Sequence, residues 1–251
     1  MKIILPGQTI GIIGGGQLGR MLAMSAKEMG YKIAILDPSK DACARHFADT
    51  FIHADFDNRK GLERLCQISN VVTFEFENID SDLLAELEKD YYIVQSARLL
   101  KTAQHRLLEK EFARSLGIET VDYQYVDQDT TGVQVDGTYL MKTVRFGYDG
   151  KGQSRITEAS QVQPYTLLER LVPLDKEISV VAYKDRTGIG IVAVVENEHR
   201  NNILYRSIVP TTASPEQEAQ AIDYTRRILE AADYYGVLTV EFFISQGRVI
   251  F

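Results

Sequence analysis

The chain is poor in cysteine. It has two, Cys43 and Cys66, in 251 residues, and their spacing is not that of a metal site. A disulfide framework is therefore excluded as the basis of the fold, and reduced intracellular thiols are the expectation. No apolar run is long enough to cross a bilayer. The first residues offer one lysine and a short Ile-Ile-Leu before Pro6 and Gly7, which is not a signal peptide. A cytoplasmic protein with no membrane partner is expected. Positive charge is also scarce: 28 Lys and Arg stand against 35 Asp and Glu, a net charge of -7. Such a surface repels a phosphate backbone, so nucleic acid is not a general partner. A small phosphorylated ligand in a locally basic cleft stays compatible with it. There is no internal repeat, no low-complexity tract and no G-x-x-x-x-G-K-[ST] loop.

What is present is an ordinary globular composition, 45% hydrophobic and 25% charged, arranged in two patterns. A short apolar run at 10–13 leads into Gly14-Gly15-Gly16-Gln17-Leu18-Gly19. Leu18, Met21, Leu22, Ser25 and Met29 then recur at helical spacing, predicting a helix to Gly30, and 32–36 reads as a second strand closed by Asp37-Pro38. Strands at 50–53, 71–75 and 92–94 and helices at 58–68 and 81–89 complete a parallel α/β unit over residues 1–97. A helix at 102–116 opens the second unit, 98–251, where strands dominate: 121–126, 139–142, 153–156, 165–168, 177–183, 190–195, 236–244 and 248–251. Residues 127–137 form a polar loop, and 215–232 a long helix with Pro215 at its start.

Six places carry candidate chemistry. Gly147-Tyr148-Asp149-Gly150-Lys151-Gly152-Gln153 lies between two strands, and its glycines let successive amides curl around a polyphosphate. Lys142 and Lys151 would add point charges to the same phosphates; a hairpin turn is the plainer alternative. Gly14 to Gly19 fits G-x-G-x-x-G between strand and helix, with Asp37 where a ribose-binding carboxylate would sit. It reads as a dinucleotide site, another phosphate site or a structural turn. Glu75 and Glu77 sit at the carboxyl end of a strand, where ligands of open sheets bind; an Asn78 cap is the alternative. The segment Glu169-Arg170-Leu171-Val172, followed by Glu177, offers backbone groups for a base and a carboxylate for ribose hydroxyls. Glu196 to Asn201, containing His199, is a dense polar segment at a sheet end. Glu241 interrupts Val-Leu-Thr-Val-x-Phe-Phe-Ile, a run that reads as buried strand, where a carboxylate is costly unless paired or bound to a cation such as Mg2+.

In this order these segments resemble the ATP-grasp superfamily, and within it the 5-(carboxyamino)imidazole ribonucleotide synthases of purine biosynthesis. The likeness rests on Gly11 to Gly19, Thr73-Phe-Glu-Phe-Glu-Asn78, Gln104-His-Arg-Leu-Leu-Glu-Lys110, Lys142 with Gly147 to Gln153, Glu196 to Leu204, and Val240-Glu-Phe-Phe243. The resemblance implies a Rossmann-like pre-ATP-grasp domain followed by an α+β ATP-grasp domain. It also implies a homodimer and a ligase that takes ATP, bicarbonate and 5-aminoimidazole ribonucleotide to the N5-carbamate by way of carboxyphosphate. Matched motif by motif, Arg106 and Lys142 would touch the ATP phosphates under Gly147 to Gln153. Glu169 to Val172 would hold adenine, Glu177 the ribose, and His199 would line the same site. Glu241 would bind Mg2+. Gly15, Gly16, Gln17, Leu18 and Glu75, with Tyr148 and Asp149, would meet the ribonucleotide. Lys142, Lys151, Arg145 and His199 are the implied catalytic residues.

The pattern departs from the family in three places. Phe146 stands where a glycine is usual. Residues 124–139 and 158–165 are shorter than usual. The Asn-Glu-Ile-Ala-Pro-Arg-Pro-type segment that carries a second metal carboxylate in the family does not follow Phe251. A truncated chain is the expectation: as a fragment its parent is the enzyme, and as a natural short protein it would be a non-catalytic remnant. A non-catalytic nucleotide-binding fragment, an NAD(P)-dependent oxidoreductase using Gly14 to Gly19, and a formyl-transfer relative acting on glycinamide ribonucleotide are the competing readings.

Overall fold

The computed structural model describes residues 2–145, 152–201 and 203–251. The chain divides into two compact units, Met1–Lys101 and Thr102–Phe251.

In the first unit, β1 (Thr9–Ile13), α1 (Gln17–Glu28), β2 (Lys32–Asp37), β3 (Thr50–His53), α2 (Arg59–Ile68), β4 (Val71–Phe74), α3 (Ser81–Leu87) and α4 (Ala97–Ala103) follow one another. The four strands are parallel in the order β3-β2-β1-β4. Alternation along the strands sorts the core. Ile12, Ile33 and Ile35 pack with Ala23 and Ala26 of α1. Their neighbours Ile13, Ala34 and Leu36 pack on the opposite face with Leu62 and Leu65 of α2, Leu83 and Leu84 of α3, and Leu100 of α4. The strand order reverses between β1 and β4, and the crevice beyond the carboxyl ends at such a point is where open α/β sheets seat ligands. Both cysteines are free, and burial pushes the Cys66 thiol up to about 11, which leaves it unreactive.

Three expectations for this unit need correction. The strand expected at 92–94 is a single parallel bridge, Val72↔Ile93, because the chain turns at once into α4. Asp80, not Asn78, caps α3 through the N–H groups of Asp82 and Leu83. An apolar helical stripe ordinarily marks the buried face, yet Leu18, Met21 and Met29 are 59%, 64% and 60% exposed. The buried face of α1 is Gly19, Ala23 and Ala26, small residues that let the helix lie close on the sheet.

The second unit opens with α5 (Arg106–Ser115) and continues through β5 (Tyr123–Val126), β6 (Tyr139–Thr143), β7 (Gln153–Ile156), β8 (Thr166–Arg170), β9 (Lys176–Lys184), β10 (Ile189–Arg200) and β11 (Ile203–Ile208). It ends with α6 (Pro215–Ala231), β12 (Gly236–Ser245) and β13 (Arg248–Ile250). One antiparallel sheet has the order β5-β8-β6-β7 and the other β11-β10-β9-β12-β13. Ile178, Val180 and Ala182 of β9 and Val240, Phe242 and Ile244 of β12 are buried on the face that α6 covers with Tyr224, Ile228 and Leu229. A capping box, Ser214 with Gln217, starts α6, and Pro215 takes its first turn.

The single helix expected at 102–116 is broken. His105 is extended, at φ -134 and ψ 105, and the Arg106 N–H donates to the Val144 carbonyl instead of up the helix. Tertiary pairing with the end of β6 thus splits α4 from α5. The polar segment at 196–201 does not end a sheet but continues β10 into a hairpin with β11.

Gly19 shows how tightly the first turn is built: a Cβ there would lie 2.4 Å from the Gly14 carbonyl oxygen. Gly19→Ala is expected to destabilise the chain by about 1–3 kcal/mol, read as a lower urea midpoint; an unchanged midpoint would show the turn to be slack.

Candidate active site

The first-unit candidates gather at the β1/β4 crevice. Gly14 turns the chain at φ +104, leaving the N–H groups of Gly15 and Gly16 pointing outward. Both are taken by carboxylates. Asp37 Oδ2 accepts from Gly15 N at 2.7 Å and Glu75 Oε1 from Gly16 N at 3.0 Å. A Cβ on Gly14 would meet Glu75 Oε1 at 2.8 Å, so the glycine is there for the carboxylate. Burial pushes the Glu75 carboxyl up; the Gly16 N–H opposes this, and Asp37 and Glu77 add to it. Gln95, a buried residue with no sequence signal, clamps the end of β4: its Oε1 accepts from Thr73 Oγ1 and Phe74 N, and its Nε2 donates to Phe74 O. Because β4 ends at Phe74, Glu75 and Glu77 are not alternate residues of a strand. Glu77 is exposed, while Glu75 turns to the glycines. Gln17 and Leu18 head α1, both exposed.

This arrangement counts against a dinucleotide. The two donors a pyrophosphate would need are already satisfied by anions, and Asp37 is turned onto Gly15 and Ser39 N–H groups instead of outward to a ribose.

In the second unit, Arg106 begins α5 and donates from Nε to the Thr143 carbonyl at 3.2 Å. This fixes it at the foot of the glycine loop. The loop's stems are β6 and β7, paired Lys142↔Gln153, and the Thr143 N–H donates to the Gly152 carbonyl at 2.8 Å. Gly152 has φ +72, and a Cβ on it would lie 2.5 Å from Thr143 Oγ1. Gly147, Tyr148, Asp149, Gly150 and Lys151, with Phe146, lie outside the described residues. Arg145 is exposed beside His105, whose imidazole burial and the Arg145 charge pull down.

Lys142 points into the protein and donates to Glu169 Oε2 from β8. Glu169 is thus within the strand, not after it as the sequence suggests. Burial alone would push its carboxyl up, but Lys110 and Lys142 outweigh that and hold it below the ordinary range. The Arg170 guanidinium is engaged elsewhere, with Asp136 at 2.7 Å and Tyr139 OH at 3.0 Å. Leu171 N–H donates to Thr138 O, and Val172 is half-buried beyond it. Of this segment only backbone groups remain for a base.

The sequence gives no direct sign of two further members, Glu109 and Lys110. Both lie on α5, from which Lys110 reaches Glu169 of β8 and the Phe251 carbonyl. Lys110 is 7% exposed. Glu109 keeps some exposed surface, but its carboxyl is enclosed; burial pushes it up to about 7, against the pull of Lys110 and Arg106.

On the sheet face opposite α6, Glu177 of β9, His199 of β10 and Glu241 of β12 come together. His199 Nδ1 lies 2.6 Å from Glu177 Oε2. Burial pushes the Glu177 carboxyl up, His199 and Lys142 pull it down, and Glu241 adds to the rise. Asn197 Nδ2 donates to Ser179 Oγ at 2.5 Å beside them. Glu241 is exposed, which corrects the expectation of a buried carboxylate. It pairs with Ser179 in the open-face register, so hydration meets the cost that burial would impose.

Residues 7–104 match the ribonucleotide synthetase pre-ATP-grasp domain family and residues 111–251 the ATP-grasp domain family. The N5-carboxyaminoimidazole ribonucleotide synthase of Bacillus subtilis is 38% identical over 258 aligned residues, which take in 98% of this chain and 68% of that protein. The Brucella melitensis protein of the same name is 38% identical over 260, with 98% and 72% covered. A solved ADP complex of an N5-carboxyaminoimidazole ribonucleotide synthetase superposes with a TM-score of 0.93 at 40% identity, over 100% of this chain and 70% of that one. The Staphylococcus aureus enzyme with ADP gives 0.92 at 35%, with the same coverage.

Glu109 carries a pH signature. Its carboxyl titrates near 7 in the folded chain, against 4.5 ordinarily. Folding therefore holds its proton more tightly than the unfolded chain does, and stability falls as pH rises from about 4.5 through 7. The loss is at most on the order of 3 kcal/mol. Glu109→Gln is expected to lose less stability than wild type between pH 5 and pH 8 in urea unfolding; parallel losses would show the carboxyl to be solvated.

Proposed function

The chain belongs to the N5-carboxyaminoimidazole ribonucleotide synthase family, and from that membership we propose the following division of labour for its residues. The reaction is the ATP-dependent carboxylation of 5-aminoimidazole ribonucleotide by bicarbonate. A bicarbonate oxygen bonds to the γ-phosphorus as the bond to the ADP oxygen breaks. The exocyclic amine then bonds to the carboxyl carbon of carboxyphosphate, or to CO2 released from it. The amine loses a proton, and phosphate departs. Little covalent work falls to the protein; placing charge and holding the reactants supply the rate.

One observation carries this reading. Arg106 and Lys142 come from different elements to the foot of the glycine loop, where β6 ends. They are the cations for the triphosphate, and Gly147 to Gln153 are assigned to its phosphates on sequence. Arg145, Lys151 and His199 complete the charge around the transferred group. Backbone groups of Glu169 to Val172 take adenine. Glu177, held by His199, takes the ribose hydroxyls. Gly15 to Leu18 and Glu75 take the aminoimidazole ribonucleotide, whose amine suits a carboxylate better than a second phosphate would.

Glu241 fits magnesium by its donor chemistry. It offers exposed carboxylate oxygens, and Mg2+ is commonly held by one or two carboxylates together with substrate phosphates. Among the described residues no group of three or more metal-ligating side chains occurs, so most ligands would come from the triphosphate and water. When bound there, the ion would neutralise charge on the phosphates. A homodimer belongs to the same proposal, supported by the exposed apolar stripe of α1. No helix among the described residues is long and apolar enough to cross a membrane.

ADP release is the test. It is expected to require both 5-aminoimidazole ribonucleotide and bicarbonate, and Lys142→Met is expected to lower it by about a hundredfold or more. ATP binding without turnover would instead make the chain a nucleotide-binding module. Met21→Glu is expected to shift sedimentation toward a monomer and leave an already monomeric chain unchanged.

A further inference from the structure

Lys110 has no part in the assignments above. It lies on α5, 7% exposed, and a lysine is seldom so buried without partners. Its ammonium donates to the Phe251 carbonyl at 2.6 Å and stands 3.8 Å from Glu169 Oε1. The other oxygen of the same carboxylate, Oε2, accepts from Lys142. Lys142 and Glu169 are 9% and 5% exposed. One buried carboxylate therefore sits between two buried ammoniums, each on its own oxygen.

Charge counting shows what the third member does. Lys142 with Glu169 alone is a neutral pair, and a phosphate would compete with Glu169 for the ammonium. In a poorly screened interior that competition is costly. With Lys110 on its far oxygen, Glu169 is shared, and the trio keeps one net positive charge. Lys142 stays anchored by one donor to Glu169, and among the described residues its ammonium makes no other hydrogen bond.

Resting on the ATP reading above, we propose that Lys110 is a positioning residue for the nucleotide: it binds and neutralises Glu169 from behind, so that Lys142 meets the triphosphate as an uncompensated cation. Lys110 itself does not touch ATP. The neighbouring ionisable groups are Arg106 and Glu109, together with Glu177, which feels the Lys142 charge and is itself paired with His199, so that Glu177 is the same in every variant compared. Glu109 is mostly protonated at pH 6, so a measurement there leaves the count intact.

Magnesium-ATP binding to the full chain at pH 6, by calorimetry, tests this. Lys110→Gln keeps a donor for the Phe251 carbonyl and removes the charge. It is expected to weaken ATP binding on the order of tenfold, while Lys110→Arg binds as wild type does. The double variant Lys110→Gln/Glu169→Gln restores the single net charge and is expected to recover most of the affinity, which a merely structural lysine would not do. Wild-type affinity in Lys110→Gln, or a double variant no better than it, overturns the proposal. If Lys110→Gln alone does not fold, Glu169→Gln is compared with the double variant. Equal affinities are then expected, since Lys110 acts only through Glu169, and severalfold tighter binding by Glu169→Gln, the mark of a direct action of the Lys110 charge on ATP, overturns the proposal. A wild-type chain that binds no ATP defeats the functional reading itself.

Discussion

The carboxylate of Glu169 is the fixed point of the second unit. It sits within β8, and the two buried lysines near the foot of the glycine loop are both placed by it. Lys142 reaches it from β6 and Lys110 from α5. Arg106 and Glu109 feel the same field. Burying such a cluster costs several kcal/mol per ion before attraction offsets it. The cluster therefore adds little to stability. In the proposed reading its value lies in a cation held at a set place before any phosphate arrives, the kind of preorganisation that phosphoryl transfer draws on.

The first unit uses carboxylates differently. Asp37 and Glu75 close onto backbone N–H groups of the glycine turn where many α/β proteins leave donors open for phosphate. The same G-x-G-x-x-G spelling thus supports opposite chemistry. Glycine is required here for the close approach of a carboxylate side chain.

Much of the fold could be read from the residues. The alternation of short apolar strands and helices up to Lys89, the strand-rich remainder and the capped helix after Ser214 each follow from local pattern. The candidates Arg106, Lys142, Glu177, His199 and Glu241 come from an ordered set of motifs, and the structure brings Glu177, His199 and Glu241 to one sheet face. What stayed hidden depends on tertiary contacts. No local rule says that Arg106 N–H pairs with Val144 and splits a helix, or that Ala23 and Ala26 outbid Met21 and Met29 for the buried side of α1. The run around Glu241 looks continuous in the alphabet of hydrophobicity, yet its odd positions face the site and its even ones face α6. Glu109 and Lys110 look like an ordinary exposed helical pair until α5 is docked.

The alternation along β9 has a consequence for how this protein tolerates change. Glu177 and Ser179 serve the open face, and Ile178, Val180 and Ala182 the hydrocarbon side. The open face and the packed core are thus interleaved letter by letter on one ribbon. A one-residue insertion or deletion in that ribbon would exchange the two sets, driving a carboxylate into the apolar layer and an isoleucine into solvent. Point substitutions there can be graded in their effect, but a shift of frame cannot.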